Sequence, residues 1–90
     1  MKALAKAMIG AAAFLELSSD DSVNPDDAVT ALEDISATLQ SASPDEVAAI
    51  RAALHELIAE ERESFARADA IKFYEHFLES VGLADDGVRT

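Results

Sequence analysis

The sequence predicts an all-α fold, and three observations support this prediction. Alanine, leucine and glutamate, which lose little conformational freedom in a helix, are abundant. Only three glycines and two prolines interrupt the 90 residues. Each proline directly follows a side chain that can cap a helix, in Asn24-Pro25 and Ser43-Pro44. We therefore expect a small antiparallel bundle of three to four helices, over approximately residues 2–18, 25–41, 44–66 and 69–81.

The first helix is predicted from a run of helix-forming residues that contains few charges. Apolar side chains recur about one turn apart and predict one buried face. They are Leu4, Met8, Ala11 and Leu15. Lys2 and Lys6 ahead of this apolar run also imitate a secretion signal. We favour the amphipathic helix, because cleavage at the small residues 11–13 leaves a very short apolar stretch.

The second and third helices begin at the two prolines. Asn24 supplies a capping side chain, and acidic residues follow Pro25 at the positive end of the helix dipole. Ser43 stands three residues before Glu46, which is the spacing of a capping box. In the second helix one apolar stripe lies opposite the acidic residues. Its members are Ala28, Ala31, Leu32, Ile35 and Leu39.

The segment after Ser43 contains no helix breaker before Gly82, but its apolar face changes sides near residues 66–70. The first stripe is Val47, Ile50, Leu54, Leu57, Ile58 and Phe65. The second is Ile71, Phe73, Tyr74, Phe77, Leu78 and Val81. Two interpretations fit. Either the chain bends, with Asp69 capping a fourth helix that folds back, or one long helix completes its core in a dimer. We favour the bend, because a small protein gains from closing its own core.

Composition excludes several classes of protein. The chain has no cysteine, so disulfides, thiolate metal sites and cysteine nucleophiles are absent. Its net charge of −11 repels nucleic-acid phosphates and anionic lipid, so we expect neither nucleic acid nor membrane as a partner. No apolar run approaches the ~18 residues of a membrane span. We expect one cytoplasmic domain over residues 1–82 and a flexible tail over residues 83–90.

No pattern indicates an enzyme, a cofactor or a metal. His55-Glu56 begins like a zinc-protease motif, but Ala59 stands where the second histidine is required. His55 and His76 lie 21 residues apart and have no evident ligand set around them. Glu60, Glu61 and Glu63 are interpreted as a solvated helical face with arginines nearby. We therefore expect a protein without catalytic residues.

The segment FLELSSDDSVNPDDAVTALE, residues 14–33, resembles the centre of acyl carrier proteins. The resemblance consists of Asp21-Ser22 followed by an apolar Val23 and an acidic second helix. It implies that Ser22 carries phosphopantetheine and that basic enzymes bind the helix. The sequence departs from that family at Pro25, which starts the helix after the serine, and at Ser19, where a glycine is usual.

The acidic charge is concentrated in the first half of the chain. Residues 7–50 contain nine acidic residues and no lysine or arginine, whereas residues 51–90 have a net charge of −4. Either this charge only keeps the protein soluble, or it forms a docking surface for a basic protein partner. In size and charge the chain looks like small helical bacterial immunity proteins, without a shared motif. We expect a non-enzymatic protein-binding module, such as an inhibitor or an immunity-type factor, that docks on a basic partner. The candidate partner-binding residues are Asp20, Asp21, Asp26, Asp27, Glu33 and Asp34.

A second hypothesis is self-association through the aromatic residues of the last quarter of the chain. These side chains lie close together in the sequence and are large and apolar, as in homodimer interfaces. The candidate self-association residues are Ile71, Phe73, Tyr74, Phe77 and Leu78. The two hypotheses are compatible, because a dimer can also bind another protein.

Overall fold

A computed structural model describes residues 1–83. It contains five α-helices and, within the described residues, no strand. They are α1 (Lys2–Leu17), α2 (Pro25–Leu39), α3 (Pro44–Glu63), α4 (Ala68–Glu75) and α5 (Phe77–Ser80). The prediction of a small all-α bundle is confirmed. The predicted flexible tail lies outside the described residues except for Leu83.

The two predicted helix starts are confirmed at atomic detail. The amides of Asp26 and Asp27 donate to Asn24 Oδ1 at 2.9 and 3.2 Å. At the start of α3 the Glu46 amide donates to Ser43 Oγ at 3.1 Å, and the Ser43 amide donates to Glu46 Oε1 at 2.8 Å. These bonds satisfy amide groups that have no partner within a helix, so both helices begin at fixed residues.

The chain bends between α3 and α4, so the interpretation as one long helix is wrong. Ala66 has a positive φ of 52°, and its amide donates to the Glu61 carbonyl at 2.6 Å. The predicted cap is also wrong in detail, because the N-cap residue of α4 is Arg67 and Asp69 lies in the first turn. The carboxylate of Asp69 accepts a hydrogen bond from the Ala70 amide at 2.8 Å instead. The fourth helix ends early, at Glu75, and α5 follows after His76.

The core lies where α1 meets α2, α3 and α4. Ala12, Ala53 and Ala70, which lie on three different helices, are each 0% exposed. Helices approach most closely where the contacting side chains are small, so these alanines allow α1, α3 and α4 to pack tightly. The largest fully buried side chains are Phe77, Ile9, Leu54 and Leu78.

The predicted buried face of α1 is wrong. Leu4 is 76% exposed and Ala11 is also exposed, while Met8 and Leu15 are half-buried. The buried residues are Ala5, Ile9, Ala12 and Ala13. Nearly all of α1 is apolar, so its periodicity is too weak to select a face. Packing against α3 selects it, because small alanines fit the crossing better than leucine does.

The aromatic residues of the last quarter close the core of the single chain. Tyr74, Phe77 and Leu78 are buried, and Ile71 and Phe73 are half-buried against them. Phe73 makes edge contacts with Tyr74 and Phe77, with ring centroids 6.0 and 5.7 Å apart. We call these five residues the aromatic cluster. Most of this cluster packs inside the single chain, and its role in self-association stays a prediction. Phe65, expected on the buried stripe of α3, is 78% exposed.

Candidate protein-binding surface

The six candidate partner-binding residues are all exposed. We call them the acidic surface. They lie in the turn after α1 and along α2, and they are Asp20, Asp21, Asp26, Asp27, Glu33 and Asp34. The structure therefore leaves every one of these carboxylates accessible to a partner.

The register of α2 directs four of these carboxylates to solvent. Asp26 and Glu33 lie seven residues apart, as do Asp27 and Asp34, so each pair is two turns apart on one side of the helix. The opposite side contains Ala28, which is buried, and the half-buried apolar residues of the predicted stripe. Burial of that stripe against α1 thus determines the orientation of the charged side.

No cation neutralises the acidic surface within residues 1–83. None of its carboxylates forms an ion pair there. The two lysines of α1 pair with α3 instead: Lys2 contacts Glu56 at 2.6 Å, and Lys6 contacts Glu56 at 3.0 Å and Glu60 at 2.9 Å. Hydrogen bonds from Lys6 to Glu60 and Glu56 raise the pKa of Lys6. The acidic surface therefore has no ion-pair partner in the described part of the chain.

One carboxylate of α3 departs from the expected solvated face. Glu61 is 6% exposed, and both of its oxygens accept hydrogen bonds from Arg67. The Arg67 backbone amide and Nε donate to Oε2 at 3.0 Å, and Nη2 donates to Oε1 at 2.9 Å. The side-chain bonds from Arg67, then the backbone bond, hold the pKa of Glu61 below its ordinary value. Glu60 and Glu63 are exposed, as expected.

One groove lies between α2 and the α4–α5 segment and has a volume of about 430 Å³. Its apolar lining includes Leu17, Leu32 and Phe73. Its polar lining includes Lys72 and His76 together with acidic residues. A hydrogen bond links the end of α2 to the residue after α5, because Gln40 Nε2 donates to the Val81 carbonyl at 2.7 Å. A second groove, of about 330 Å³, lies between the start of α1 and the α2–α3 turn.

The other candidate groups are placed as follows. Among residues 1–83, no three histidine, aspartate or glutamate side chains come together to hold a metal ion. His55 is exposed, and His76 is half-buried with its Nδ1 3.6 Å from Glu79. Ser22 is exposed in a turn, where its amide donates to the Ser19 carbonyl at 3.0 Å. The residue that caps α2 is Asn24 and not Ser22. Attachment of phosphopantetheine to Ser22 stays a prediction.

The fold and the acidic surface define a small all-α protein whose charge lies mainly on one helix and the turn before it. No family model matches the chain, and neither the curated proteins nor the solved structures contain a match. In the described part of the chain no helix has the length and apolar character needed to cross a bilayer. The function is therefore inferred from the surface of the chain itself.

Proposed function

We propose that this protein is a non-enzymatic binding module whose acidic surface docks on a basic protein. The observation that supports this proposal is that six exposed carboxylates on one turn and one helix form no ion pair with any other residue of the range 1–83. Lys2 and Lys6 pair with carboxylates of α3 and not with this surface, so the field of the surface acts outward. Such a field accelerates encounter with a partner of opposite charge. The cytoplasm is the compartment in which we place this interaction.

A role in solubility alone is the competing explanation, and salt distinguishes the two. Docking between a charged surface and a basic partner weakens as salt shortens the Debye length from about 10 Å at ~0.1 M to about 3 Å at ~1 M. A solubilising surface binds nothing at either concentration. Recovery of a basic protein at low salt and its loss at high salt therefore favours docking.

The decisive variant is Glu33→Lys/Asp34→Lys. Both residues are exposed in the middle of α2, and neither caps a helix, so the fold is retained. The tagged chain is used to capture proteins from an extract of its source cells, and the bound proteins are identified by mass spectrometry. We expect a basic protein that binds the wild-type chain and is lost from this variant, by at least about tenfold in affinity, equivalent to about 1.4 kcal/mol.

The control is Glu60→Lys/Glu63→Lys, which changes the net charge equally on α3. Within residues 1–83 the one ion pair that it breaks is the exposed contact between Lys6 and Glu60, whose contribution to stability is small. The control is expected to retain the basic partner. Equal loss in both variants would show that net charge alone drives capture, and retention in both would contradict the proposal.

A further inference from the structure

The solvent side of α1 carries no charge. At about 100° per residue, its members fall within an arc of roughly 120°. All six are exposed, and we call them the outer face of α1: Ala3, Leu4, Ala7, Gly10, Ala11 and Phe14. Leu4 is 76% exposed and Phe14 is 59% exposed. The polar residues of this helix, Lys2, Lys6 and Glu16, lie off this arc.

We propose that the outer face of α1 binds a second copy of this chain, with the two α1 helices antiparallel. The surface differs from the aromatic cluster, of which Tyr74, Phe77 and Leu78 are buried in the monomer and the other two residues are half-buried. It also differs from the acidic surface, so the inference does not depend on the proposed docking function.

Charge favours a copy of the chain at this face over the two long acidic helices, α2 and α3. The helix α1 has a net charge of +1, whereas α2 and α3 each have a net charge of −4. Two molecules of net charge −11 repel each other wherever acidic helices meet. The outer face of α1 is where two copies approach without bringing carboxylates into contact.

Charge also favours the antiparallel orientation. Lys2 and Lys6 lie at the start of α1, and Asp20 and Asp21 follow its end. The helix is about 24 Å long at ~1.5 Å per residue. An antiparallel pair separates the two acidic turns by that length, more than the Debye length of about 8 Å at physiological salt. It also places each acidic turn beside the end of the other copy where Lys2 and Lys6 neutralise Glu56 and Glu60, and not beside the second acidic turn. A parallel pair brings both acidic turns together.

The order of residues makes this face self-complementary. In an antiparallel pair centred on Ile9, residue i of one copy lies level with residue 18 − i of the other. Leu4 is then level with Phe14 of the second copy, and Ala7 with Ala11. Small residues meet at the centre, which permits close approach, and large residues flank them on both sides. This is the arrangement that a two-fold interface requires.

Gly10 gives an independent indication. Glycine in a helix interior is unfavourable, and within the chain nothing lies within 4 Å of a Cβ placed at this position. Packing inside the monomer therefore does not explain the absence of a side chain. A second helix approaching the outer face does, because a bare backbone there allows closer contact.

The first test is the mass of the full chain in solution, by sedimentation velocity from micromolar to millimolar protein. We expect a reversible monomer–dimer equilibrium. Ala7→Glu and Ala11→Glu are each expected to weaken dimerisation by about tenfold or more, because a carboxylate enters an apolar contact. Val29→Glu is the matched control, since Val29 is 55% exposed on α2 and outside the outer face. Its dimerisation constant is expected to equal that of the wild type.

Mixed variants report the orientation. An Ala7→Lys chain mixed with an Ala11→Glu chain is expected to form a heterodimer more tightly than either forms a homodimer. For parallel helices, Ala7→Lys with Ala7→Glu gives the stronger heterodimer instead, and that result overturns the antiparallel arrangement. Gly10→Ala is expected to raise the Tm of dilute monomer and to weaken the dimer.

Three outcomes overturn the inference. The first is a monomer at every concentration. The second is a dimer that Ala7→Glu and Ala11→Glu leave unchanged. The third is a monomer that binds phosphatidylglycerol vesicles through the outer face, with binding lost in Ala11→Glu, which identifies a lipid contact in place of a second copy.

Discussion

At the level of single residues, Glu61 and Arg67 decide how α3 gives way to α4. The carboxylate of Glu61 reaches across the bend and accepts three hydrogen bonds from Arg67, one of them from the backbone amide of the N-cap residue. The guanidinium of Arg67 also lies over the ring of Phe65, 5.8 Å from its centroid. No glycine or proline lies between residues 63 and 68 to favour a turn. The hydrogen bonds between Glu61 and Arg67 stabilise the turn instead.

The pH dependence of stability tests the role of Glu61. Its folded-state pKa is lowered by Arg67, so its contribution is complete above the unfolded pKa of about 4.3 and is lost as pH falls through the folded value. We expect Glu61→Gln to lower the Tm at neutral pH and the difference from wild type to narrow as pH falls below about 4.3. Thermal unfolding followed by circular dichroism between pH 7 and pH 3 measures this.

The control for that experiment is Glu63→Gln, because Glu63 is exposed on the same helix end. Its Tm is expected to stay near that of the wild type at every pH. A Glu61→Gln difference that is constant over the whole range would show that the ionised carboxylate does not hold the bend.

At the level of elements, α2 buries the fewest side chains of the five helices. Only Ala28 is buried within it, and its main packing partner is α1. By comparison, α3 buries Ile50, Ala53, Leu54, Ile58 and Glu61. Two contacts at the ends secure α2: the Asn24 cap and the bond from Gln40 to the Val81 carbonyl. The helix that carries the acidic surface therefore depends on its caps more than α3 does.

Removing the cap of α2 should loosen that helix selectively. Asn24→Ala removes the acceptor for two amides and is expected to cost about 1 kcal/mol. Hydrogen exchange followed by NMR should show faster exchange in α2 and little change in α3. Ser43→Ala serves as the converse control, because it removes the cap of α3. Uniform acceleration of both helices by Asn24→Ala would instead show that α2 opens only with the whole chain.

At the level of the whole molecule, charge and core are separated. Residues 7–50 contain nine acidic residues and no lysine or arginine. The ion pairs lie elsewhere, where they link α1 with α3 and stabilise the bend. Alanines from three helices and the aromatic cluster form the core. Mutual repulsion of carboxylates at net charge −11 opposes the compact state.

Salt should therefore stabilise the fold. Raising NaCl from ~0.01 M to ~1 M shortens the Debye length from about 30 Å to about 3 Å. We expect the Tm to rise by about 5 °C, equivalent to about 1 kcal/mol for a chain of this size. Differential scanning calorimetry of dilute protein measures this rise. The Glu33→Lys/Asp34→Lys variant should show a smaller one, and a Tm that falls with salt would contradict the repulsion argument.

Local sequence determined much of the fold. Asn24-Pro25 and Ser43-Pro44 identified two helix starts, because a capping side chain followed by proline is a local signal that needs no tertiary contact. The reversal of the apolar face near residues 66–70 indicated the bend, and the clustering of aspartates and glutamates identified the acidic surface. The exposure of the four carboxylates on α2 follows from the single apolar stripe of that helix.

Tertiary structure alone decided which face of α1 is buried, where Glu61 points and how the aromatic cluster is used. Periodicity could not orient α1, since an almost uniformly apolar helix has no preferred side until Ala12 meets small residues on α3 and α4. Glu61 resembles its exposed neighbours in sequence and is buried only because the bend brings Arg67 back to it. Caps and amphipathic stripes are local features of the sequence, whereas helix crossings depend on residues far apart in the chain. The crossings of α1 with the other helices also leave its outer face uncovered.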